Sequence, residues 1–241
     1  MGARVSLFVT CIIDQLFPNV GMAMAGVLER LGYEIDFPEA QTCCGQPAYN
    51  SGYRAEAREV AKHFLSVFEN AEHIVVPSGS CGGMAAHHYE DLFKKEPEWL
   101  AKARALKPKI HEFSSFLLDV AKVEDVGARF EGTVTYHDSC HALREMGVKD
   151  GPRRLLRHVR GLTVKEMDKA EECCGFGGTF SVKFSEVSGG MARTKIDSIL
   201  RTGADYVVSI DSSCLMQLQG ALLRAGTTIR TLHLAEVLAS Q

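Results

Sequence analysis

The chain has 241 residues, 46% hydrophobic and 24% charged, an ordinary globular composition that excludes a disordered or low-complexity protein. Its net charge of −3, without any basic run, offers no field to gather polyanions, so nucleic-acid binding is not expected. No apolar stretch reaches the roughly 18 residues that suggest a membrane span, and the first residues lack the charged and long apolar regions of a secretion signal. A cytoplasmic protein is expected, peripheral to a membrane at most through its partners.

Short β-rich apolar runs alternate with longer stretches of helical periodicity along the chain. The first series predicts strand Val5–Thr10, helix Val20–Leu31, strand Tyr33–Phe37, helix Tyr53–Asn70, strand Ile74–Val76, helix Met84–Phe93, strand Lys109–Glu112 and helix Ser115–Ala121. The second predicts strands Thr133–His137, Leu162–Glu166, Tyr206–Ile210 and Thr228–Leu232, with helices Pro152–His158, Ser185–Arg201, Leu215–Arg224 and Ala235–Ser240. The charged segment Lys94–Lys107 holds the only tryptophan, Trp99, has no counterpart in the second series, and reads as an exposed insertion. Such alternation implies an α/β fold of mainly parallel sheets flanked by helices. The two series divide the chain into pseudo-symmetric repeats, 1–124 and 125–241.

The cysteines carry the same duplication. They run Cys11, Cys43-Cys44, Cys81 and then Cys140, Cys173-Cys174, Cys214, at offsets of 129, 130 and 133 residues, with none left over. Without a secretion signal, eight thiols point to metal binding or redox chemistry more than to a disulfide framework. Each group follows the C-terminal end of a predicted strand, where open α/β folds form a common crevice, so four thiols per repeat are expected to converge. Helix N-termini after the strands would lower thiolate pKa values and suit an anionic group.

Two neighbours on a regular strand face opposite ways, so each Cys-Cys pair needs a turn. Gly45 and Gly175 supply a residue that tolerates positive φ and lets the backbone come close. Beyond Cys174 the run continues as Gly175-Phe-Gly-Gly-Thr179, against Gln46-Pro-Ala-Tyr49 in the first repeat, so the two sites are related but not equivalent. His137 and His141 flank Cys140 and offer a ligand set, a proton relay, or hydrogen bonds that orient the loop. Asp138 and Arg144 read equally as solvated partners or, for the arginine, as a carboxylate binder. His87 and His88 point about 100° apart on a helix and read as surface. His111 and His233 occupy matching places before the last helix of each repeat, as structural hinges or donors behind the site.

The residues Phe8–Cys11, Phe37–Glu39, Cys43–Ala48, Asn50–Tyr53, Gly79–Cys81, Tyr136-His137, Gly147–Asp150, Cys173–Lys183 and His233–Leu238 resemble, end to end, the lactate utilisation protein A family. That family is a branch of the cysteine-rich CCG-domain proteins, which include the iron–sulfur subunit of glycolate oxidase. The resemblance implies an iron–sulfur subunit of a lactate-to-pyruvate system that works with a ferredoxin-like iron–sulfur partner and a third protein. The fuller CCG pattern ends in Cys-x-x-Cys, whose first cysteine is replaced here by Ser78 and by Asp211. Four thiolates per repeat still match one iron–sulfur cluster or one zinc ion, with Asp211 as a further oxygen ligand. The cofactor-binding set is therefore expected to be Cys11, Cys43, Cys44, Cys81, Cys140, Cys173, Cys174, Cys214 and Asp211, holding one or two iron–sulfur clusters, with zinc an option in one half. Behind it stand His137, His141, Gly45 and Gly175. The competing functions are a zinc-stabilised assembly protein and a thiol–disulfide reductase, though vicinal cysteines lack the two-residue spacing of the latter. No dinucleotide, Walker or ferredoxin fingerprint occurs, so electrons are expected to leave through another protein.

Overall fold

Two four-stranded, fully parallel sheets organise the chain, one in each half, in a computed structural model that describes residues 3–241. The first half runs β1 (Arg4–Leu7), α1 (Cys11–Leu16), α2 (Pro18–Arg30), β2 (Glu34–Asp36), α3 (Gln46–Asn50), α4 (Arg54–Val67), β3 (Ile74–Val76), α5 (Gly79–Gly83), α6 (Tyr89–Leu92), α7 (Pro97–Leu106), β4 (Ile110–Glu112) and α8 (Phe113–Ser115). A π-helical turn, Met84–His88, joins α5 to α6, and another, Phe116–Val120, extends α8. The second half runs β5 (Arg129–Tyr136), α9 (Cys140–Arg144), α10 (Asp150–Arg157), β6 (Arg160–Val164), α11 (Thr179–Lys183), α12 (Ser185–Thr202), β7 (Tyr206–Ser209), α13 (Ser212–Arg224), β8 (Arg230–His233) and α14 (Leu234–Ala239).

Strand order is β2-β1-β3-β4 in one sheet and β6-β5-β7-β8 in the other. The chain therefore leaves β1 to one side and returns on the other, and the same happens at β5. That reversal opens a crevice beyond the C-terminal ends of β1 and β3, and of β5 and β7, where the connecting loops diverge. The central strands are apolar because both faces are covered: Ile74, Val75 and Val76 are all buried. Helices follow the same logic, with Val20, Met24, Val27 and Leu28 giving α2 one buried stripe at helical spacing. Pro18 opens that helix, where its missing N–H costs nothing.

The two halves share a core. Side chains from β1, α2, α8 and its π turn pack together with side chains from β5, α10 and α14 as one buried cluster, while a separate outer cluster backs each sheet. Helix α2 lies against α14, and Arg30 donates to the Leu238 carbonyl at 2.7 Å. Near the strand ends, α5 crosses α9 so closely that a Cβ on Gly79 would lie 2.6 Å from Ala142 Cα and closer still to its Cβ. At Gly83 the obstacle is a single side chain, Glu145, nearest at its movable Oε2 and with its Cβ at 3.3 Å.

Several elements differ from those the periodicity predicts. Six short helices, α1, α3, α5, α7, α9 and α11, occupy stretches that read as loops; most are too short to show a periodicity. The segment Lys94–Lys107 is an insertion relative to the second half and largely exposed, but it is mostly the helix α7, which buries Ala103 and Leu106 and stacks Trp99 on Phe93 at 6.1 Å. The match between His111 and His233 is displaced by one residue. Sheet register sets Glu112 beside Val76 and His233 beside Ser209, so Glu112 is the true equivalent of His233, and both cap the next helix. Glu112 accepts from the amides of Ser114 and Ser115 at 2.9 and 3.2 Å. His233 accepts from Ala235 N at 3.0 Å and meets the Pro77 carbonyl at 3.1 Å across the junction. His111 instead turns aside to His73.

This packing has measurable consequences. Gly79→Ala forces backbone apart at the α5–α9 crossing and is expected to destabilise by roughly 3 kcal/mol, whereas Gly83→Ala displaces only Glu145 and costs under about 1 kcal/mol because alanine favours the helix. Urea denaturation of the two variants compares them, and equal stabilities would refute the close crossing. Burial pushes the fully buried Glu112 from its ordinary 4.5 up to about 7. The native state therefore holds a proton that the unfolded chain releases, so this stability is present below pH 4.5 and is lost as pH rises through 7. Between pH 5 and 8, Glu112→Gln should gain roughly 2–3 kcal/mol relative to the wild type; parallel stability–pH curves would contradict this.

Candidate functional site

The repeat places its thiols by equivalent means in the two halves. Cys11 and Cys140 are the first residues of α1 and α9, and Cys81 and Cys214 the third residues of α5 and α13. Cys43-Cys44 and Cys173-Cys174 lie in the loops after β2 and β6. Gly45 and Gly175 sit at φ +84° and +87° and turn their amides back onto Cys43 Sγ and Cys173 Sγ, each at 3.4 Å. A Cβ at Gly175 would come within 2.6 Å of the Ser188 carbonyl, so the turn requires glycine there.

Within each half the sulfurs form a chain. Cys43 meets Cys11 at 3.7 Å and also contacts Cys44, which reaches Cys81. Cys173 likewise meets Cys140 and Cys174, and Cys174 reaches Cys214. Hydrogen bonds from Cys11 and Cys44 hold the Cys43 thiol well below its ordinary range, and those from Cys140 and Cys174 do the same for Cys173. Cys11, Cys44, Cys140 and Cys174 are pushed up in return, by the hydrogen bonds they share with these thiolates and by burial. Cys43 and Cys173 are thus the members of their sets that ionise most readily, and thiolates are the form of cysteine that binds metal. All eight cysteines are free, and all line a single cavity of about 380 Å³ at the junction of the halves. Strand-end placement predicts four thiols in each of two pockets; the structure joins the pockets.

Asp211 also lines this cavity but has other partners. Its carboxylate accepts from Ser78 Oγ at 2.7 Å, Ser80 Oγ at 2.8 Å, Ser80 N at 3.2 Å and from Ser139 Oγ. Ser78 and Asp211 stand at the same position of the repeat, so the two departures from the five-cysteine pattern bond to each other. Ser80 and Ser139 are site residues that the sequence reading misses, although each directly precedes a cysteine.

His137 is fully buried, and neither ring nitrogen has a hydrogen-bond partner among the described residues. Burial and then the charge of Lys195 hold its pKa down at about 3, so the ring is neutral. Its equivalent is Phe8, since Phe8 N donates to Val75 O and His137 N to Val208 O, both at 2.9 Å. Phe8 packs edge-on against Phe64 at 4.9 Å. On the second side the place of Phe64 falls to Lys195, because Ala57 O and Val60 face Gly45 as Ser188 O and Met191 face Gly175. Lys195 is 1% exposed and donates to the carbonyls of Lys169 and Ala170, just before the cysteine pair. A lysine inside the stripe Ala192, Ile196 and Ile199 is the sequence signal for it.

His141 also lines the cavity, with Nδ1 3.6 Å from Cys140 Sγ. His87 is exposed, as expected, but His88 reaches across the junction to Glu145 at 3.2 Å. Asp138 is not solvated: at 2% exposure it takes a bidentate pair from Arg153 at 2.8 and 2.9 Å, and Arg153 also binds Glu166. Arg144 lies outside the cysteine cavity, in a polar surface cleft beside Lys149 and Arg153. No described helix is long and apolar enough to cross a membrane.

Among solved structures the fold is similar to a crystal structure of a hypothetical protein from Helicobacter pylori, with a TM-score of 0.64 at 12% identity over 98% of this chain; this chain spans about half (48%) of that one. Curated relatives are far more similar. A lactate utilization protein A of Bacillus cytotoxicus is 52% identical over 238 residues, and one of Bacillus cereus is 50% identical, each match covering 99% of both chains. The cysteine-rich CCG domain model matches twice, at residues 5–85 and 134–219, once over each set of cysteines. The chain therefore belongs to the cysteine-rich CCG-domain family, in its lactate utilization protein A branch.

Proposed function

We propose that this protein is the iron–sulfur subunit of a lactate-oxidising system. The observation that carries the reading is the convergence of two four-cysteine sets on one cavity, each built on the same strand-end plan. The lactate assignment comes from the names of the full-length relatives. Cys11, Cys43, Cys44 and Cys81 would hold one group, in repeat 1–124, and Cys140, Cys173, Cys174 and Cys214 the other, in repeat 125–241.

The residues fit such a group in three ways. Four thiols per set match the ligand count of a cluster. One thiol in each has its pKa lowered by the neighbouring thiols, and the Gly45 and Gly175 amides donate to it. Glycine backbone at Gly177 and Gly178, both at positive φ, leaves the rim of the second set open. An iron–sulfur cluster in these sets supplies one-electron chemistry. The protein's own part is to hold the thiolates, limit water at the buried Cys44 and Cys174, and present an opening through which electrons pass to other subunits. A ferredoxin-like iron–sulfur protein and a third subunit are the proposed partners, because a two-electron oxidation of lactate needs an acceptor beyond this chain. Asp211 is assigned to joining the halves, since its oxygens already have four donors.

Anaerobic purification followed by iron, acid-labile sulfide and zinc analysis tests the reading. Iron and sulfide are expected in stoichiometric amounts, and Cys173→Ala or Cys174→Ala should remove part of both and abolish lactate-dependent growth. Stoichiometric zinc without iron, even after reconstitution, would sink it. For Asp211→Asn the iron content should stay at the wild-type level while a weakened tie costs about 2 kcal/mol and lowers Tm by roughly 5 °C. Loss of iron with an unchanged Tm would return Asp211 to the ligand set.

A further inference from the structure

His137 is the side chain beside the cysteine sets whose burial leaves the most unpaired: both ring nitrogens lack a partner among the described residues, against the single hydroxyl of Ser212. A neutral imidazole carries one donor and one acceptor, and leaving both unpaired away from water costs on the order of 1–3 kcal/mol each. Yet no packing requirement calls for a polar ring here, since Phe8 fills the same place in the first half among Phe64 and Phe68. Something must use the nitrogen.

The nearest candidates are sulfurs. A ring nitrogen of His137, Cys174 Sγ and Cys214 Sγ all lie within 4.8 Å of one another, and all three residues are buried. Tetrahedral coordination with metal–sulfur and metal–nitrogen bonds of about 2.3 and 2.1 Å places ligand atoms roughly 3.5–3.8 Å apart, which small rotations of these side chains would reach. Three buried ligands of borderline softness are a set suited to zinc or iron rather than to a hard, oxygen-seeking cation.

We propose that the second half binds its metal through mixed nitrogen and sulfur ligation, with His137 joining Cys174 and Cys214 and taking the place of one of the two outer thiols, Cys140 or Cys173, while the first half is ligated by sulfur alone. The duplicated site is thus divided into two coordination types by one substitution in the repeat, Phe8 against His137. The inference rests on the reading that the cysteine sets bind metal, but not on which metal is native.

The test uses cadmium, a thiophilic probe whose nuclear resonance reports the sulfur and nitrogen count of each site separately. The full-length apoprotein, prepared anaerobically with 15N-labelled histidine, is loaded with 113Cd²⁺. Two cadmium resonances are expected, one in the all-sulfur range and one shifted toward mixed ligation, together with a metal-induced shift of the His137 ring nitrogen. In His137→Phe, which copies the first half, the second resonance should move into the all-sulfur range, and cadmium at that site should be lost to a chelator about 10- to 100-fold more readily. Two all-sulfur resonances in the wild type, or a His137 nitrogen that ignores the metal, would overturn the proposal, and the labelled wild type decides this even if the variant does not fold. If neither half takes up cadmium, the metal-binding reading itself fails, which is a different result.

Discussion

Asp211 is an ionisable side chain 1% exposed to solvent, and its four hydrogen bonds come from three serines in two loops of opposite halves. A buried carboxylate without donors is among the most expensive groups a fold can carry, so its partners must stay where they are. Ser78 and Ser80 open helix α5, which carries Cys81; Ser139 precedes Cys140; Asp211 itself stands before the helix of Cys214. One carboxylate therefore sets the relative positions of three cysteine-bearing helices. The close crossing of α5 and α9 at Gly79 and Ala142 acts on the same segment, and neither contact leaves room for the two sets to move independently.

This tie also accounts for the shape of the site. Parallel sheets alone would give two crevices, each at its own strand ends. Because the halves meet at those ends, the crevices merge into one cavity, and the cysteine sets face each other through it. The five-cysteine pattern of the wider family would place a thiol where Ser78 and Asp211 stand. Here that pair serves attachment between the halves and leaves four thiols to each.

The two sets are alike in backbone and unlike in what backs them. Behind the first set lie Phe8, Phe64 and Phe68 in edge-to-face contact. Behind the second lie His137 and Lys195, with Asp138 and Arg153 paired nearby. Buried polar groups of this kind cost stability unless they are used, and a duplicated fold that needed only packing has an apolar solution at hand in its own first half. The asymmetry lies in the surroundings of the second set, where Lys195 and Asp138 have partners and His137 has none among the described residues.

Much of this is legible in the chain itself. Strand and helix alternate with clear periodicity, so the two parallel α/β repeats can be read directly, and Ile74–Val76 matches to the residue. The eight cysteines announce the site because their spacing repeats, and Gly45 and Gly175 announce its turns because a glycine recurs after each pair at the same offset. Tertiary structure alone supplies the rest, since it depends on which loops meet across the junction. Asp211 reads in sequence as a spare ligand, and only the nearness of Ser78, 133 residues earlier, makes it a tie. Glu112 and His233 become equivalents only through strand register, because a one-residue shift is invisible where both segments contain a histidine. His137 is visible beside Cys140, but its isolation from every partner among the described residues is a property of three-dimensional burial, which no local spacing encodes.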